Sequence, residues 1–165
     1  MFQDIVNRAL QDSARQLIQD MGIEDLCSRM IDFPDQIAGK NGEVIEIQKQ
    51  IVGLEIQAIN AQGIMDQEKA VVVAEVATEI NGDGKTKFSN DKLRDAEAVK
   101  RLSVNDEYRV ARATVDDLKG QISGLGFDIA GLKHEIGKLE SQMANYRVVV
   151  SVRTAQITAL FGGQV

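Results

Sequence analysis

The chain has one cysteine, one histidine, one proline and no tryptophan among 165 residues, and only 4% are aromatic. A lone cysteine, Cys27, can form neither an internal disulfide nor a thiolate zinc site, which excludes a secreted disulfide scaffold. A lone histidine, His134, removes most metal sites and every histidine relay that does not pass through it. Scarce aromatics argue against a globule with a thick core. Proline usually interrupts helices, so having only Pro34 favours long ones. No run approaches the ~18 consecutive apolar residues of a membrane span. Met1 to Leu10 carries Asp4 and Arg8 and lacks a signal-peptide core. The expectation is a soluble, cytoplasmic protein with no membrane partner. The 19 basic and 25 acidic residues give a net charge of −6, unsuited to general binding of nucleic acid.

Apolar periodicity fills in the architecture. Phe2, Ile5, Val6, Ala9, Leu10, Ala14, Leu17, Ile18 and Met21 recur at steps of three and four, which predicts one amphipathic helix over 2–21. Gly22 is placed to cap its end. A second short helix, with Ile23, Leu26, Cys27, Met30 and Ile31 on one face, is expected to stop at Phe33 before Pro34. Cys27 is expected in the core. From Pro34 to Ile80 the pattern is helical again, with Val44, Ile47, Ile51, Leu54, Ala58, Ala61 and Met65 as its stripe. Ile45, Val52, Ile56 and Ile59 widen that stripe, as happens in helices with more than one partner. The β-branched run Val71–Val76 is assigned to helix because Glu68, Glu75 and Glu79 continue the polar face.

Asn81-Gly82-Asp83-Gly84 is the strongest turn signal in the chain. Ser89 is a candidate N-cap for a helix over about 90–102, and Ser103 for a fresh start. From Val104 to Leu160 one series then runs in alternating steps of four and three: Val104, Tyr108, Ala111, Val115, Leu118, Ile122, Leu125, Ile129, Leu132, Ile136, Leu139, Met143, Tyr146, Val150, Arg153, Ile157 and Leu160. Unbroken heptads with β-branched residues at a and leucine at d mark a coiled coil. Arg153 is its one charged member. Gly162 and Gly163 stop it. Gly120, Gly124, Gly126, Gly131 and Gly137 all lie outside a and d, so they leave the core stripe whole, thin the flank at c and e, and mark 120–137 as a place for a partner helix.

Two long helices about a short turn predict an all-α antiparallel helical hairpin or coiled coil with two short N-terminal helices. The domain division is 1–33 and 34–165, with the turn at about 81–88. Ile51 should lie near Leu118 and Val44 near Leu125. The second long helix overhangs the first, leaving Leu139, Met143, Tyr146, Val150 and Ile157 to be covered by the N-terminal helices or by a second chain. A homo-oligomer is expected, with its geometry open.

Few constellations suggest chemistry. Glu79, Asn81, Asp83 and Gly84 match positions 1, 3, 5 and 6 of a calcium loop, but a lysine, Lys87, intrudes at position 9 and Asn90 stands at position 12 in place of the bidentate acid. A polar hairpin turn is the better assignment. No phosphate loop, Ser-His-Asp set or metal motif occurs, so neither enzyme activity nor a cofactor is expected. His134 falls at an outer heptad position. Charge is polarised: residues 1–80 carry −8, whereas 81–101 carry +2. The tip cations Lys85, Lys87, Lys92, Arg94, Lys100 and Arg101 could contact DNA phosphates, with Phe88 stacking on a base.

The segment from Asn81 to Arg94, NGDGKTKFSNDKLR, followed by Leu102, Asp106-Glu107-Tyr108, the heptad helix and Tyr146-Arg147, resembles small bacteriophage and prophage coiled-coil proteins over about residues 40–160. The resemblance implies a phage or prophage gene near recombination or replication functions, and the host cytoplasm as location. The expected function is a non-enzymatic coiled-coil scaffold or adaptor, self-associating through helix 104–160. One alternative is an accessory DNA-binding protein acting through the tip. Another is a structural virion or tail component.

Overall fold

A computed structural model describes residues 2–161. Four helices follow in order: α1 (Phe2–Asp20), α2 (Ile23–Thr78), α3 (Asp91–Val104) and α4 (Asp106–Phe161). Among the described residues there is no strand, only an isolated antiparallel bridge between Ile80 and Thr86. The fold is all-α, and α2 and α4 form the long antiparallel hairpin. The chain divides into two compact units, Glu46–Ile129 and Met1–Ile45 with Ala130–Val165.

In the Glu46–Ile129 unit, Val72 and Val76 of α2 pack on Ala98 and Leu102 of α3, with Phe88 and Tyr108 against them. Ala61, Ala111, Val115 and Leu118 are also buried. The seam is therefore the stripe that the heptads mark. Two of its terminal members depart from it: Val104 and, in the other unit, Leu160 are exposed. At Val104 the reason is a helix break, because the buried residue is Leu102 and α3 ends at Val104.

Asn105 makes that break. Its N–H donates to the carbonyls of Arg101 and Leu102 at 3.0 and 3.3 Å, closing α3. Its Oδ1 accepts from the Tyr108 N–H at 2.8 Å, opening α4, and its Nδ2 donates to Glu68 of α2 at 3.0 Å. Asn105, not Ser103, is thus the cap. At α3 the N-cap is Asn90 rather than Ser89, with Oδ1 accepting from the Leu93 N–H at 2.9 Å. Asparagine's short acceptor suits the N-cap at least as well as serine's.

The hairpin register also differs from expectation. Leu125 borders a groove with Leu54, not Val44, and Ala111 borders another with Ala61. The Ile80–Thr86 bridge closes the turn, but Lys87 to Asn90 continue outside helix before α3 begins. Those extra residues shift the pairing centre toward Lys87.

In the other unit, α2 does not stop at Phe33 but runs through Pro34. Pro34 is exposed and removes one backbone donor. The packing explains why the helix tolerates it. Met30, Phe33, Ile37, Lys40 and Val44 continue the stripe in steps of three and four, and all are at least partly buried. Phe33 is buried and meets the Tyr146 ring of α4 at 5.6 Å between centroids, tilted by 56°. Breaking the helix would rotate this row away from α4. Cys27 and Ile31, expected in the core, are exposed because the packed face is Leu26, Met30 and Phe33.

The overhang is covered by the N-terminal segment of the same chain. Leu139, Met143, Tyr146, Val150 and Ile157 are all partly buried in this unit. Lys40 of α2 donates to Glu135 of α4, so a charged stripe position is neutralised by a partner beside the seam. Arg153, the charged heptad member, donates to the Met21 carbonyl at the end of α1. Gly22 follows in the left-handed region at φ +61°, as a C-cap glycine should. Gly162 and Gly163, expected to stop the helix, lie outside the described residues.

Candidate functional site

The hairpin tip is built on one carboxylate. Glu79, one residue beyond α2, pairs with Lys87 at 2.6 Å and with Arg101 of α3. Its carboxyl is held below the usual carboxylate range, first by the Lys87 ammonium and then by Arg101. Arg101 is held protonated more firmly by Glu97, at 3.0 Å, and by Glu79. The turn itself is closed by backbone bonds. The Asn81 N–H donates to Lys85 O at 2.7 Å and the Lys87 N–H to Glu79 O at 2.8 Å. Gly84 sits at φ +72°, a conformation that disfavours any side chain.

This geometry sorts the seven tip residues singled out for nucleic acid. Lys87 and Arg101 are tied to Glu79. Arg94 donates to the Phe88 carbonyl at 3.1 Å and pairs with Asp91 at 3.3 Å. Phe88 is half-buried against the Val72–Leu102 cluster, with the Lys87 Nζ 5.5 Å from its ring centroid. It anchors the loop to the core and is not presented to a base. Lys85, Lys92 and Lys100 are exposed and make no ion pair among the described residues. The tip therefore offers three dispersed cations, not six converging ones. Glu79 as organiser was not singled out from sequence. The available signal was its position facing Lys87 across a strong turn.

The seam residues singled out for packing fall where the heptads put them. Val115, Leu118 and Ile136 are buried, and Ile122, Leu125, Ile129, Leu132, Leu139, Met143, Tyr146, Val150 and Ile157 are partly buried. Their neighbours come from the same chain.

What stays uncovered is a second apolar face. Val52, Ile56 and Ile59 of α2 are 54%, 56% and 70% exposed. A Cβ placed on Gly53, Gly63, Gly120, Gly124, Gly126, Gly131 or Gly137 would meet nothing within 4 Å. The glycine flank at 120–137, expected to receive a helix, is open in this chain. Among the described residues no group of three or more His, Cys, Asp or Glu side chains could hold a metal ion. No described helix is long and apolar enough to cross a membrane. Comparison with protein-family models, curated proteins and solved structures finds no match for this chain.

Proposed function

We propose that the protein is a non-enzymatic helical scaffold or adaptor that self-associates, is encoded by a phage or prophage, and acts in the host cytoplasm. The observation that carries this reading is the exposed row Val52, Ile56 and Ile59 on a helix whose opposite stripe is already packed. Three large aliphatic side chains in helical succession are costly to leave in water. Each is worth about 1.5–3 kcal/mol when fully buried. A helix with two apolar stripes gains that energy by taking a second partner. Light scattering after size exclusion tests the reading. A mass that rises above 18.1 kDa with concentration supports it. A strict monomer at every concentration contradicts it.

A second reading, an accessory DNA-binding role in recombination or replication, draws on Lys85, Lys92 and Lys100. Phosphate contacts by three lysines would give weak, strongly salt-dependent binding. A low-salt mobility shift abolished by changing all three to Glu would favour it. No shift at low salt would dismiss it.

A further inference from the structure

We infer that the outer face of α2 is an antiparallel homodimer interface, in which α2 of one copy packs against α2 of a second copy. This assignment depends on the self-associating scaffold reading and specifies its partner and geometry. Lys49, Val52, Ile56, Ile59, Gly63 and Asp66 succeed one another at steps of four and three on α2. They form a second heptad row, on nearly the opposite side of the helix from the packed stripe at Ile51, Leu54 and Ala58. All six lie in the Glu46–Ile129 unit and are open. Val52, Ile56 and Ile59 are exposed, the Lys49 side chain is 66% exposed, and a Cβ on Gly63 would meet nothing.

The order of residue types selects the occupant. Read from the midpoint between Ile56 and Ile59, the row is nearly symmetric in character, with apolar residues inside and one charge at each end. An antiparallel copy sets Ile56 against Ile59 of its partner and Val52 against Gly63. It also sets Lys49 against Asp66, and the two-fold axis makes each contact twice. A parallel copy in register would instead set Lys49 against Lys49 and Asp66 against Asp66. Opposite charges on flanking positions are a recognised means of fixing helix orientation. Gly63 leaves room for the branched Val52 to approach. Neither charge is committed to a distant partner: Lys49 pairs with Glu46 one turn back at 2.6 Å, and Asp66 accepts from Gln62 at 3.0 Å. Such a short row falls below a standard interface of about 800 Å² per partner, so the dimer is weak and concentration-dependent.

The test is sedimentation equilibrium on the full chain, with circular dichroism to verify helix content. The single variants Lys49→Glu and Asp66→Lys should each weaken the dimer roughly tenfold, since each replaces two attractions by two repulsions. The double variant K49E/D66K should restore wild-type affinity. Ile56→Glu should abolish the dimer while leaving helix content unchanged. A dimer indifferent to all of these overturns this face while sparing self-association. So does a double variant no better than the singles. A wild-type chain that stays monomeric overturns the scaffold reading itself.

Discussion

At the scale of single residues, Asn105 does three jobs that no other side chain would combine. It closes α3, opens α4 and ties both to Glu68. Asn105→Ala removes the cap and strands a donor, so it should destabilise the fold by about 1–2 kcal/mol in urea denaturation. A change near zero would show that the break is set by the chain on either side. Glu79 and Glu135 make a different prediction. Both carboxyls are held below their ordinary value of 4.5, Glu79 chiefly by Lys87 and Glu135 chiefly by Lys40. A carboxylate with a depressed folded pKa stabilises fully above its unfolded value and loses that contribution as pH falls through the folded value. Stability should therefore decline as pH drops below 4.5. Glu79→Gln should make that decline shallower in a pH titration of stability. An unchanged slope would mean that the tip pairs are screened by solvent to the point of irrelevance.

At the scale of elements, Pro34 is the instructive case. It stands exposed inside α2 and withholds a donor, and the helix continues because Phe33, Ile37 and Val44 keep one row in contact with α4. Pro34→Ala should therefore stabilise the protein, by up to about 3 kcal/mol, with a higher melting temperature. Destabilisation would mean that a kink at this position is itself required for packing. The same case shows what was legible in the sequence. The α4 seam could be read because heptads depend only on spacing, and spacing survives tertiary folding. The central turn could be read because glycine and asparagine act locally. Continuity through Pro34 was harder to see. A local rule against proline outweighed a row that passes through the polar Lys40. Lys40 and Arg153 sit on packed stripes because each finds an oxygen partner, Glu135 and the Met21 carbonyl. Such pairs join residues 95 and 132 positions apart and leave no mark in local pattern. Likewise the tip is basic by count, yet three of its cations are matched to acids on neighbouring turns or across the loop.

At the scale of the molecule, a coiled-coil sequence suggests a dimer, yet here the α4 heptads find their complement within the same chain. Among the described residues, the second row on α2 offers exposed apolar surface in heptad succession, and its end charges give it a direction. The most direct measurement mixes the two single variants, Lys49→Glu and Asp66→Lys, and follows mass by sedimentation equilibrium. Each alone opposes like charges at both ends of an antiparallel dimer, while the mixture pairs opposite charges at both. The account predicts that the two weakly dimerising variants form a heterodimer with affinity close to that of the wild type. A mixture no more associated than its separate components would contradict it.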